Sequence, residues 1–383
     1  VTAINSSADA SLAARARDVR IDLTRGIANW FIFLDHVPHN AVNLLTLRNF
    51  GFSGAADLFV FVSGYAAALL YGRMVRERGL VVTATRIFRR VWQLYAAYVV
   101  LFVIYIDVIG NVAAQTAATE IINEYNIIGL VDEPTQTLMH GLMLQGKPLN
   151  LDTLQLFIAL FAFFPLILWS MMRRPNWALA GSIVLYCAAR QFGWGVAAFP
   201  SGNWYFNPYG WQLLFVLGAW FALNGSRLMR WVRHSPLLLA TASVYLLFAL
   251  AVTVTGHFTD PGRFLPAVLL DPFLPNEKDN LAVSRILHFL ALAMVFTYLV
   301  PRDWSPLHWA VFQPIIRCGD EWLSAFCAGV FLSFAGHLVL ITTPNSLAMQ
   351  VLVSAAGVSI MTAIAYYISW SKRQDHRSSL TFN

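Results

Sequence analysis

The chain has 383 residues, of which 58% are hydrophobic and only 12% charged, with a formal net charge of +6 and a mean hydropathy of +0.58. Those values exclude an ordinary soluble domain and predict a polytopic membrane protein, an all-α helix bundle. The excess of Lys and Arg is therefore read first as a topology signal, and no nucleic-acid partner is expected.

The first twenty residues are polar and basic, end in AARARDVR, and hold no apolar run or cleavage site, so no removable signal peptide is expected. The first span itself is expected to serve as the insertion signal. That span opens DLTRGIANWFIFLDHVPHN, residues 22–40, and places Arg25, Asp35 and His36 inside an apolar segment. Arg25 and His36 are eleven residues apart, about three helical turns, which puts them on one face roughly 16 Å apart along the axis. An ionised Arg near the middle of a lone spanning helix costs roughly 2.5–3.5 kcal/mol, so this stripe must face protein or a wet cavity. Asp22 and Arg25 admit a plain packing ion pair one turn apart. Asp35 and His36 are neighbours, about 100° apart on a helix, and need not touch. His39, three residues past His36, is placed to share its face, except that Pro38 removes a donor, so the helix is expected to end or kink just past His36. An imidazole opened there toward the outer side has the chemistry of a general base on a hydroxyl.

Windows long enough for the ~30 Å bilayer core give ten candidate spans: about 22–43, 52–74, 87–109, 151–172, 176–193, 209–224, 236–256, 281–300, 320–341 and 347–370. With the N-terminus inside, nineteen Lys and Arg fall on inner segments and six outside, among the latter Arg48, Lys147, Arg190, Arg263, Lys278 and Arg285, while Arg25 is intramembrane. Both termini are thus expected in the cytoplasm.

The second span carries Asp57 and the small-residue turn Ser63-Gly64-Tyr65. Asp57 near its outer end is either solvated or faces His36 and supports the imidazole. Arg86, Arg89 and Arg90 after this span read either as topology and headgroup contacts or as a cytoplasmic landing surface for a phosphate-bearing cofactor; no phosphate-binding glycine loop is present. The outer loops hold His39, Asn40, Arg48 and Asn49, then Glu120, Glu124, Asp132, Glu133 and His140. A further outer loop, WGVAAFPSGNWYFNP at 194–208, admits two readings, interfacial anchors or an aromatic platform for a sugar. Asp152 opens the fourth span, where a carboxylate suits a helix N-terminus. His288 and Arg285 share a face at the outer end of the eighth span, His337 closes the ninth, and Asp320 and Glu321 open it beside Arg317. Cys187, Cys318 and Cys327 show no metal spacing or paired framework and read as core packing; no metal is expected.

DLTRG with FLDHVPHN, then LTLRNFGFSGAADLFVFVSGY and YGR, resembles the N-terminal signature of the OpgC family, membrane proteins that succinylate osmoregulated periplasmic glucans. The likeness continues through LNLDTLQLF at 149–157, FNPYGWQLLFVLGAW at 206–220 and CGDEWLSAFCAGVFLSF at 318–334. That family is similar to the broader acyltransferase-3 superfamily, whose hallmark of Arg, ten residues and His is matched by Arg25 and His36. The family's second-span entry often carries carboxylates at both positions matching Gly54 and Asp57; here only Asp57 is one. The resemblance implies an inner-membrane acyltransferase with one transmembrane domain over 21–371, a cytoplasmic segment 1–20 and a cytoplasmic tail 372–383. It implies acyl-CoA, succinyl-CoA first, as donor and a periplasmic glucan as acceptor. Catalysis is then expected at His36, Asp57 and Asp35, and donor binding at Arg25, Arg86, Arg89 and Arg90. Acceptor contacts are expected among His39, Asn40, Arg48, Asn49, Ser63, Tyr65, Asp152, Trp211 and Gln212. A transporter is the alternative, with neither a two-fold repeat nor a matched pair of broken helices visible in its favour.

Overall fold

The computed structural model describes residues 18–116, 133–146, 150–225, 228, 235–259, 261–263 and 266–381. Glu120, Glu124, Asp132, Lys147, Arg15, Arg17, Arg227, Arg230 and Arg233 lie outside the described residues. Among the described residues the structure is all-α, with a single antiparallel bridge, Ala197 with Asn203, and no strand. The helices are α1 Val19–Asp35, α2 Ala55–Arg78, α3 Leu80–Thr116, α4 Pro134–Leu142, α5 Asp152–Arg173, α6 Pro175–Phe192 and α7 Pro208–Asn224. They continue as α8 Pro236–Phe258, α9 Ala267–Leu270, α10 Val283–Leu299, α11 Gln313–Asp320, α12 Trp322–Thr342 and α13 Leu347–Thr381.

Each of the ten apolar windows falls on one of these helices. Six of them, α2, α3, α5, α8, α12 and α13, are long and apolar enough to cross a membrane, which makes this a multi-pass membrane protein. The other four, α1, α6, α7 and α10, are 17 or 18 residues long, about 25–27 Å at 1.5 Å per residue. Two windows contain a helix end. The first runs too far: α1 stops at Asp35, His36 leaves helical geometry at φ −106°, ψ 10°, and the chain passes into a 3-10 turn at Ala41–Leu45. The ninth opens on a break, because α11 ends at Asp320, Glu321 stands at φ −97°, ψ 39°, and α12 starts at Trp322.

The chain forms two compact units, residues 1–44 with 295–383, and residues 45–294. In lipid, apolar side chains gain little by leaving their solvent, so helices associate through close packing and small residues. The first unit follows this rule where α1 meets α11. A Cβ on Gly26 would strike the Ile315 carbonyl, and one on Gly319 would strike that of Asp22. Asn29 bonds the carbonyls on either side of the α11–α12 break, Cys318 at 3.3 Å and Trp322 at 3.2 Å. The Glu321 carboxylate at that break takes Lys372 Nζ from α13 at 2.5 Å. Phe33, Val37, Leu340 and Met361 complete this core.

In the second unit Gly64 of α2 sits against the Phe215 carbonyl of α7, and Gly218 of α7 against that of Phe61. Around this contact Phe59, Phe157, Phe161, Phe164 and Phe215 pack edge to face at 5.3–6.1 Å, the arrangement that aromatic quadrupoles favour. Cysteines follow the packing expectation only in part: Cys318 is buried, Cys327 half-buried and Cys187 exposed, because Cys187 lies on the outward side of α6.

Candidate functional site

In the first unit the site is built on the end of α1. Asp18 caps the helix, accepting from the Arg20 backbone N–H at 3.2 Å and from its guanidinium at 2.7 and 2.9 Å, with Arg302 adding a fourth donor at 3.1 Å. Arg25 and His36 are both half-buried, and the continuous helix between them keeps the one-face spacing of roughly 16 Å. His36 Nδ1 lies 2.6 Å from the Ile32 carbonyl. A carbonyl only accepts, so Nδ1 carries a hydrogen; in a neutral ring the lone pair then belongs to Nε2, the tautomer required of a base.

Asp35 is the last helical residue and half-buried. His39 does not continue the face of His36, because the helix has ended and His39 stands in the left-handed region at φ +56°. Its ring faces that of His337 at 5.8 Å. Asn40 holds the turn, giving Nδ2 to Ser354 Oγ at 2.8 Å and accepting the Val42 N–H at 3.0 Å.

In the second unit α10 grips the entry to α2. Arg285 donates through Nη2 to Asp57 Oδ2 at 2.6 Å and through Nε to Oδ1 at 3.3 Å, while Asp57 also accepts the Gly54 N–H at 2.8 Å. Asp57 is fully buried and thus not solvated. One turn along α10, His288 Nδ1 meets Ser53 Oγ at 2.7 Å and the Ser53 N–H at 3.3 Å. Because an N–H only donates, Nδ1 is the acceptor and the serine hydroxyl points at it. That is the geometry of a nucleophile and its base, yet Ser53 and His288 are 1% and 2% exposed, and Gly51 is pressed so closely on the imidazole that a Cβ there would overlap Nε2. The pair is sealed and acts as a fastening. Asn276 adds a bond to the Phe52 carbonyl at 2.8 Å.

Around the same end of this unit Arg48 packs its Cβ over Gly54, with Arg285 beyond. Tyr205 lies close by. Burial pushes its hydroxyl above the usual value of 10.0; Asp279 and Asp152 act in the same direction and Arg285 and Arg48 against it. Lys278 Nζ stands 5.1 Å from the rings of both Tyr205 and Phe206.

Other predicted residues hold the frame. Trp211 is fully buried and gives Nε1 to the carbonyls of Lys278 and Asp279 at 3.0 and 3.1 Å. Gln212 exchanges bonds with Ser182 between α7 and α6 at 2.6 and 2.9 Å. Asn49 bonds back to Thr46 Oγ1 at 3.1 Å. Ser63 is buried, and its Oγ has no hydrogen-bond partner; Tyr65 is half-buried. Arg86 and Arg89 are exposed on α3, and Arg90 bonds Gln93 at 3.2 Å.

Sequence reasoning set Arg285 and His288 low, passed over Ser53 and Asp279, and weighed Tyr205 only as part of the aromatic loop 194–208. For Arg285 a signal existed: a cation inside an apolar window needs a buried counter-charge, and Asp57 stands at the matching end of another.

The family model described as OpgC protein matches residues 17–373. No curated protein matches the chain.

Proposed function

The chain belongs to the OpgC family, a membership that carries a membrane acyltransferase-type function, and on that premise we propose that it moves a succinyl group from acyl-CoA to hydroxyls of a periplasmic glucan. The setting is the bacterial inner membrane, with both termini cytoplasmic and the whole of 21–371 acting as one acyltransferase domain. The observation that supports the reading is the 2.6 Å contact of His36 Nδ1 with the Ile32 carbonyl, which in a neutral ring assigns the lone pair to Nε2. Nε2 takes the proton of the acceptor hydroxyl as its oxygen attacks the thioester carbonyl. The tetrahedral adduct collapses to the ester, and the imidazolium returns the proton to the departing thiolate.

Donor and acceptor approach from opposite sides, and no side chain carries an acyl group across a ~30 Å core. The pantetheine arm spans that gap, with the phosphate-rich head on the cytoplasmic side and the arm running past Arg25 to bring the thioester to His36. Transfer is then direct. Arg25→Ala weakens acyl-CoA binding under this reading, and Arg25→Lys restores it only partly, since a point charge replaces a planar fork.

The deciding experiment is incorporation of radiolabelled succinyl-CoA into glucan by the purified protein in detergent. Labelled glucan is the expected result. Absence of transfer sinks the reading, and a succinyl group trapped on the protein sinks direct transfer.

A further inference from the structure

Helix α3 is 37 residues long, about 55 Å at 1.5 Å per residue, which exceeds the ~40–45 Å of a bilayer with its headgroups. One end therefore stands in a headgroup layer, and the arginines of its first turns mark which. Thr83, Ile87, Leu94 and Tyr98 are buried and turn one side of this end to the protein. The other side carries two neighbouring stripes at helical spacing. Val81, Thr85, Phe88 and Trp92 form one, Val82, Arg86, Arg89 and Gln93 the other, and every one of these side chains is exposed. Trp92 is 67% exposed and Val81 81%. The face is rigidly held: Gly79, at φ +83°, alone separates α2 from α3, and its carbonyl accepts the Thr83 N–H at 3.3 Å and hydroxyl at 2.8 Å. Arg73 is paired with Glu77, and Arg90 bonds Gln93 at 3.2 Å. Arg86 and Arg89 make no hydrogen bond or ion pair among the described residues.

We propose that Arg86 and Arg89 seat the headgroup of a bound anionic phospholipid, with its phosphodiester between the two guanidinium groups and an acyl chain running along Phe88 and Trp92 toward Val103. The proposal stands on the multi-pass membrane fold and is independent of the acyl-transfer reading.

Three features favour a lipid over a soluble phosphate. The first is the order of side chains along one face. Arginines come first, then Trp92 at the depth where indoles anchor, then exposed apolar residues as far as Val103. Trp92 and Val103 are eleven positions apart, about 16 Å, which matches one leaflet of a ~30 Å core. A soluble polyphosphate has no use for that apolar half and leaves Val81 and Phe88 in water. The second is the cation pair. Residues three apart on a helix are neighbours, about 5–6 Å between Cβ atoms, and planar guanidinium groups take phosphate oxygens in paired hydrogen bonds. Side chains on a helix also lean toward its N-terminus, so both arginines reach out of the core to the phosphate level. The third is the local field. Arg76 and Arg78 are exposed at the end of α2, and such a basic cluster draws anionic lipid in preference to zwitterionic lipid.

The test is native mass spectrometry of the full chain in neutral detergent, titrated with phosphatidylglycerol and, separately, with phosphatidylethanolamine of the same chains. Saturable binding of phosphatidylglycerol is expected, with phosphatidylethanolamine much weaker. Arg86→Gln and Arg89→Gln should each weaken it roughly five-fold and the double variant roughly thirty-fold, the change expected for one and two cations at a membrane surface. Replacing both by Lys, which keeps the charge and loses the planar fork, should restore most of the affinity and gives a second measure should a Gln variant fold poorly. Trp92→Ala should weaken the phospholipid as well. Arg174→Gln, which removes an exposed cation at the end of α5, should leave binding unchanged. A folded double Gln variant that binds as tightly as the wild type overturns the site. Equal weakening by Arg174→Gln also overturns it, because only a diffuse surface field would then be at work. Displacement of the lipid by free coenzyme A, lost in the double Gln variant, overturns the lipid as occupant and assigns the arginines to a soluble phosphate.

Discussion

Arg285 holds Asp57 through two hydrogen bonds in a site where the side chains are 8% and 0% exposed. Breaking one side of such a pair leaves an uncompensated buried charge, at a cost of about 3–5 kcal/mol, whereas replacing both sides by neutral groups is far milder. Arg285→Met and Asp57→Asn alone are therefore expected to lower the thermal midpoint in detergent sharply, and the double variant to recover most of it. If either single variant unfolds with the wild type, the pair is not a structural fastening, and Asp57 returns as a candidate supporter of catalysis.

His36 is expected to behave as a base and not as a packing residue. His36→Ala should slow succinyl transfer by roughly 10²–10⁴ while the protein keeps its thermal midpoint. Normal turnover in a folded His36→Ala variant would remove the residue from the mechanism.

Asp18 links stability to acid. Burial opposes its ionisation, but the hydrogen bonds and charges of Arg20 and the charge of Arg302 outweigh it, holding the carboxyl below its usual 3.8. A depressed folded value means that the stabilisation is present above pH 3.8 and disappears as pH falls through the folded value. Asp18→Ala removes a helix N-cap worth about 1 kcal/mol. Its melting curve should fall below that of the wild type at neutral pH, and the two should converge in acid. A gap that persists in acid would assign the loss to packing.

The charge count predicts that the exposed end of α2 faces the cytoplasm. In a cysteine-less background, Arg78→Cys is expected to react with an impermeant maleimide only in inside-out vesicles. Labelling from the periplasmic side alone would reverse the orientation of every helix.

Apolar windows and turn residues made much of the fold legible. Hydropathy alone located ten helices, and Pro38 foretold that α1 ends near His36. The pairings were not legible, because they join residues far apart in the chain: Asp57 with Arg285 across 228 positions and Ser53 with His288 across 235. A charge in an apolar run announces that a partner exists without saying which, and a carboxylate near a helix start satisfies the dipole equally well on paper. The His36 tautomer was out of reach for a different reason. It depends on one rotamer meeting one carbonyl, and Ile32 is an unremarkable apolar residue in any pattern. Tyr205 was hidden within an aromatic loop whose composition fits an interfacial belt.

The two glycines at the α1–α11 crossing, Gly26 and Gly319, bring backbone against backbone with no side chain between. A contact of that kind has no slack: α1 cannot slide or rotate against α11 without peptide groups colliding. The residues of α1 therefore keep fixed heights, and under the donor path proposed above the separation of Arg25 from His36 would work as a gauge. A donor arm that is too short would leave its thioester below the imidazole, and one that is too long would overshoot it. Acyl carriers would then be sorted by reach, before the chemistry of the acyl group is ever tested.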